Sequence, residues 1–172
     1  AQKEAEGLLN TFSSIQMTIL CNTTYKRSGV NNRLYKDAKI IHFNFQKSFL
    51  YRLWYKIKLK YIIKNVDIIH CHNEPNYFIL DTIKAVDNKI PIVYDIHDFT
   101  TMRNGNSSKL EEEVYTNSSA IIHVSNNFIN YGNEKYGNKR SEVILSTPTK
   151  EYFINKKVEF KKKDFYSFVY EG

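Results

Sequence analysis

Asp67-Ile-Ile-His-Cys-His-Asn-Glu-Pro-Asn76 and, one helix-length further on, Lys89-Ile-Pro-Ile-Val-Tyr-Asp-Ile-His-Asp98 are two short apolar runs that each break off into polar, ionisable residues. A buried strand of a parallel sheet looks this way where its C-terminal end emerges into a ligand crevice. Two such ends separated by one helix bring His70, His72, Asn73 and Glu74 towards His97 and Asp98. The pair therefore predicts an α/β domain carrying part of a small-molecule site.

The rest of the chain extends the same alternation. Apolar spacing predicts helices over 3–13, 47–64, 76–86, 109–117 and 126–136, and strands over 16–21, 39–45, 67–71, 90–96, 120–124 and 142–145. The stretches 22–37 and 100–107 read as polar loops. Strands alternating with helices imply a Rossmann-like, doubly wound parallel sheet. The chain opens on a helix, and its last residues, 164–172, read as a fresh strand after a Lys-rich segment. The expected organisation is one Rossmann-like domain over 1–149, a basic linker over 150–163 and the first strand of a further domain over 164–172.

Composition narrows the class. The 172 residues are 42% hydrophobic and 25% charged, enough for one sizeable core. No apolar run approaches the ~20 residues of a membrane span, and the polar opening Ala1-Gln-Lys-Glu-Ala-Glu has no signal-peptide pattern. Cys21 and Cys71 sit in strand-like runs without a CxxC partner, so free thiols and a cytoplasmic setting are expected. The net charge of +7 is unevenly distributed. Between Ala38 and Val66 stand Lys39, Lys47, Arg52, Lys56, Lys58, Lys60 and Lys64 with no acidic residue. This pattern suits a polyanionic surface at particular faces, not a nucleic-acid coat.

Two features carry alternative readings. His70 and His72, two apart on a strand, share a face. With His97 and an oxygen from Glu74 or Asp98 they make a conceivable metal set, but the spacing matches no established His-rich motif and no metal is expected. In the 47–64 helix, Leu50, Leu53, Trp54, Ile57 and Tyr61 form a stripe at three-to-four spacing that is expected to pack on the sheet. Arg52, Trp54, Lys56, Lys58 and Lys60 also fit an interfacial helix attracted to anionic lipid, which would place the protein peripherally at the inner face of the membrane. Ser125, after Ile121-Ile-His-Val, is placed to cap the following helix, whose N-terminus is also a ready anion site. Signatures of hydrolases, Walker-type NTPases and dinucleotide enzymes are missing from the sequence.

Taken in order, these motifs resemble the N-terminal domain of the family 4 glycosyltransferases of the GT-B type. The resemblance rests on Asp67-Ile-Ile-His-Cys-His followed by Glu74-Pro-Asn, on Pro91-Ile-Val-Tyr-Asp-Ile-His-Asp98, on Glu111–Glu113 leading to Ala120-Ile-Ile-His-Val-Ser125, and on Phe168-Val-Tyr-Glu-Gly172. It implies transfer of a sugar from a nucleotide-diphosphate sugar to a glycan or lipid-linked acceptor, with retention and without a metal or other cofactor. His97 would be the catalytic contact to the donor sugar. His72, Glu74, Asn76, Asp98, Thr100, Arg103 and Ser125 would line the substrate cleft. The family's first strand and Gly-rich loop would precede residue 3, and the nucleotide-binding half would follow Gly172, so the fragment itself is expected to be inactive. The missing strand should leave the strands at 16–21 and 67–71 either paired directly or separated by a gap. The alternative is a non-catalytic Rossmann-like module that grips a glycan or anionic surface. A response-regulator-like domain fits less well, because its acidic cluster and lysine are not evident.

Overall fold

The computed structural model describes residues 2–12, 14–22, 38–43, 48–73, 75–87, 89–106 and 108–145. Glu74, the basic linker and the 164–172 strand expected from sequence lie outside these residues. The described elements run α1 (Gln2–Thr11), β1 (Met17–Asn22), β2 (Ala38–Phe43), α2 (Phe49–Ile62) with a 3-10 turn (Ile63–Asn65), β3 (Ile69–His72), α3 (Asn76–Val86), β4 (Ile92–Ile96), α4 (Thr100–Asn104), α5 (Lys109–Asn117), β5 (Ala120–His123), α6 (Asn126–Tyr136) and β6 (Ser141–Val143). All strand pairing among them is parallel. This is the Rossmann-like α/β fold that the alternation of elements predicts. No helix of the described residues is long and apolar enough to cross a membrane.

The strands fall into two ladders, β1-β2 and β3-β4-β5-β6. Among the described residues β1 and β3 do not pair, so of the two expected arrangements direct pairing is not the one adopted. Within the larger ladder each strand lies beside the next in sequence, with Ile69 opposite Ile92, Val93 opposite Ala120 and Ile121 opposite Ser141. Register then sorts the side chains by face. Ile92, Tyr94, Ile96 and Ile121 point into the main core, where Ile79, Leu80, Ile83 and Val86 of α3 and Val114 and Tyr115 of α5 meet them. Each such large side chain contributes about 1.5–3 kcal/mol through burial. His70, His72, Asp95 and His97 fall on the opposite face, at the C-terminal ends of β3 and β4.

Two sequence expectations are corrected. The stretch after Phe99 is not wholly a loop: Thr100–Asn104 form the short helix α4. Its Thr-Thr-Met-Arg-Asn composition has no apolar period, and no residue of its own caps it. The cap comes from another element, because the buried carboxylate of Glu111 on α5 accepts the backbone N–H groups of Thr100 and Thr101 and the hydroxyls of Thr101 (2.8 Å) and Tyr136 (2.6 Å). Gly105, at φ +68°, then stops the helix in a left-handed conformation that favours glycine.

The second correction concerns α2. Its buried side chains are Tyr55 and Leu59, packed with Phe43 and Phe78, whereas Leu50, Leu53, Trp54, Ile57 and Tyr61 are exposed. The stripe expected to pack on the sheet faces mostly outwards, with the Trp54 ring keeping an edge contact to Phe43 of β2 at 5.0 Å between centroids. The helix has two apolar sectors, and charge decides which turns inward. Arg52 and Lys56 flank the Tyr55–Leu59 sector and meet Asp81 of α3, which is only 1% exposed. Arg52 forks onto both carboxylate oxygens (2.6 and 2.7 Å) and Lys56 reaches one at 3.0 Å. Burial pushes the Asp81 carboxyl up, but the hydrogen bonds from Arg52 and Lys56 outweigh it and hold it below the usual carboxylate range. The Tyr55 hydroxyl meets Thr82 Oγ1 at 2.7 Å on the same seam.

Candidate active site

The site is built on strand ends. His70 and His72 of β3 stack with ring centroids 4.6 Å apart, and the His72 and His97 centroids are 5.9 Å apart. At their centre lies Asp95 of β4, buried to 1% exposure. Its Oδ2 is 3.3 Å from His70 Nε2, 2.9 Å from His72 Nδ1 and 3.3 Å from His97 Nε2. Burial pushes the Asp95 carboxyl up, yet hydrogen bonds from His70 and His72 and the attraction of His72 and His97 hold it far below the ordinary range. Asp95 is therefore an anion at any working pH.

That anion fixes how the imidazoles are used. A neutral imidazole has one N–H and one lone pair, and the nitrogen nearest a carboxylate keeps the proton. His72 is thereby set to donate from Nδ1 and His70 from Nε2, while His97 Nε2 faces the same oxygen from 3.3 Å. The second nitrogen of each ring is left as an acceptor or proton acceptor. His97 is also the most open of the three, with its side chain 42% exposed. This arrangement can orient a hydroxyl or take up a proton, the usual work of histidine at a site.

The loops beyond the two strands are tied together. Asn73 N donates to Asp95 O (2.8 Å) and Asn73 Nδ2 to Asp98 O (2.7 Å), while the Tyr94 hydroxyl donates to Asn73 Oδ1 (2.9 Å) and Asn76 Oδ1 (3.1 Å). Asn76 is thus buried beneath Tyr94 at the start of α3. Asp98 and Arg103 form a half-exposed ion pair at 3.3 Å on the rim. Thr100 contributes its backbone N–H to Glu111, and the Ser125 hydroxyl accepts from Phe128 N (3.4 Å), capping α6. The geometry brings together His72, His97, Asp98 and Arg103. Ser125 serves as a helix cap, and Glu74 is outside the described residues.

Several site residues went unread in the sequence. Asp95 is the hub, and its only signal was an ionisable residue interrupting Ile-Val-Tyr-Asp-Ile. Tyr94 and Glu111 position the loops, together with Asn73, which strand alternation already places beside the histidines. His123, paired in register with Ile96, is fully buried, and neither ring nitrogen has a hydrogen-bond partner among the described residues. Burial lowers its pKa to about 4 against the opposing pull of Asp95. Cys71, on the core side of β3, is a free thiol that burial pushes up to about 12, so it is not a nucleophile.

His70, His72 and Asp95 could in principle hold a metal, since one ligand atom from each lies within 4.8 Å of the others. Nitrogen–oxygen donors of this kind suit zinc or a similar transition ion. The inward nitrogens of His70 and His72 are engaged as donors to Asp95, so a metal would have to displace the N–H protons that now bond to that carboxylate.

Residues 13–145 match the family model described as Glycosyltransferase Family 4. The chain belongs to that family. The matched region spans β1 to β6, so the fold is that of a family 4 glycosyltransferase domain, and the Asp95 cluster lies within it. No curated protein matches the chain. Family membership makes this a glycosyltransferase-type domain, which implies sugar donor and acceptor substrates in general.

Proposed function

We propose that this chain forms the acceptor-side half of an enzyme that moves a sugar from a nucleotide-diphosphate sugar to a glycan or lipid-linked acceptor, retaining the anomeric configuration and using no metal. The observation that carries the reading is the convergence of His70, His72 and His97 on buried Asp95 at the ends of β3 and β4. In this reading His97, held by Asp95, contacts the donor sugar. His72 and the Asp98–Arg103 rim face the acceptor, with Glu74 and Thr100 in the flanking loops. In this reading the isolated 172 residues are inactive. The setting is cytoplasmic. The test is sugar transfer by the intact enzyme carrying His97→Ala, with and without a chelator. Loss of turnover in the folded variant, and indifference to chelation, support the reading. Unchanged turnover removes His97 from the site, and chelator-sensitive turnover removes the metal-free mechanism.

A further inference from the structure

The outward sector of α2 is unlike the rest of the surface. Phe49, Leu50 and Tyr61 are 76%, 72% and 68% exposed, and Leu53, Trp54 and Ile57 lie between them, close to half exposed. On a helix the spacing 49, 50, 53, 54, 57, 61 makes one continuous face, about 18 Å long at 1.5 Å per residue. The charges around it are of one sign. Lys58 lies over the Trp54 ring at 5.8 Å and Lys64 over the Tyr61 ring at 5.3 Å, while Lys60 stands on the same outward side. No acidic residue occurs between Ala38 and Val66. A neighbouring basin of about 420 Å³ carries Lys60, Lys64 and Lys89 against Asp87, which makes it net positive. Arg52 and Lys56, by contrast, are committed to Asp81 and cannot serve this face.

We propose that this face of α2 docks on a bilayer rich in anionic lipid. Exposed aromatic and aliphatic side chains enter the headgroup boundary, and lysines whose stems lie along the rings reach phosphate groups around them. A continuous exposed apolar face of this kind marks an interaction surface, and the net positive charge around it selects anionic headgroups over a neutral or basic partner. The inference does not depend on the sugar-transfer reading, because no residue of this face belongs to the Asp95 cluster.

Trp54 is the only tryptophan of the chain, so its fluorescence reports the face directly. Vesicles of phosphatidylglycerol mixed with phosphatidylcholine should co-sediment the protein and shift its emission to the blue, whereas pure phosphatidylcholine should do neither. Lys58→Gln, Lys60→Gln and Lys64→Gln together should weaken binding by at least about tenfold, because each lysine contributes up to roughly fivefold near such a surface, and should flatten its salt dependence. Leu50→Ser with Ile57→Ser should abolish the blue shift while the thermal melt is unchanged. Lys109→Gln on α5 should change nothing. Equal binding to neutral vesicles, no binding, or an equal loss from Lys109→Gln would overturn the proposal. So would self-association that Leu50→Ser with Ile57→Ser disrupts in a protein that ignores vesicles, since the face would then belong to a second copy.

Discussion

Two buried aspartates, Asp81 on α3 and Asp95 on β4, are each 1% exposed and each surrounded by basic side chains, yet they do different work. Asp81 is met by the guanidinium of Arg52 and the ammonium of Lys56, so the cluster is a fixed clamp between α2 and α3. Asp95 is met by three imidazoles, which can each donate, accept or carry a proton. The lesson is that burial of a carboxylate does not mark function by itself. The chemistry of its partners does. Permanent cations make a joint, and titratable partners at strand ends make a site.

The largest effect should come from emptying the clamp. Arg52→Met with Lys56→Met leaves Asp81 buried without a partner, and breaking a buried pair costs about 3–5 kcal/mol. The lower end is expected because Arg52 is a third exposed, and urea denaturation reads the loss. A melt within ~1 kcal/mol of the parent would show that the clamp is not structural. Next in size is the pH response of His123. Its pKa is about 4 when folded against ~6.5 for a free imidazole, so the folded state binds fewer protons between these values. The stability due to keeping it neutral is complete above about pH 6.5 and lost as pH falls towards 4, by up to about 3 kcal/mol. His123→Leu should flatten the stability–pH curve over that interval. Asp81 and Asp95, both depressed, act in a lower window. Their contribution is complete above about pH 4, the ordinary carboxylate value, and drains away only below it.

At the site, His97→Ala in the intact transferase should cost about 1.5–3 kcal/mol of transition-state stabilisation, roughly ten- to hundred-fold in turnover, with the fold intact. Asp95→Asn should be milder, about tenfold or less in turnover and within ~1 kcal/mol in stability at neutral pH, because an amide oxygen still accepts from the imidazoles. If Asp95→Asn instead unfolds the protein, Asp95 belongs with Asp81 as a structural joint and the contrast between the two fails.

The sequence was most legible where a local signal and the tertiary outcome agree. α3, α5 and α6 run over the residues the apolar period marks, and α5 buries the one sector of Glu111, Val114 and Tyr115. α2 was misread in facing: two apolar sectors compete on it, and the choice was made by Asp81, a residue on another helix. α4 was invisible because its cap is Glu111, again on another element. The His70–His72–His97 grouping could be read from strand alternation, but Asp95 as its hub depends on the register that sets His72 opposite Asp95. Partners across elements are what a single chain of letters conceals.

The order β3-β4-β5-β6 also says something about how the domain is made. Every strand of this ladder finds its neighbour one crossover away, so no pairing waits for a distant part of the chain. Each closure spans one crossover, and because closure entropy grows only slowly with loop length every step costs about the same. During synthesis each strand can add to an edge already in place as it leaves the ribosome. The Asp95 cluster, which needs only β3 and β4, would be assembled before the residues of β5 and β6 exist.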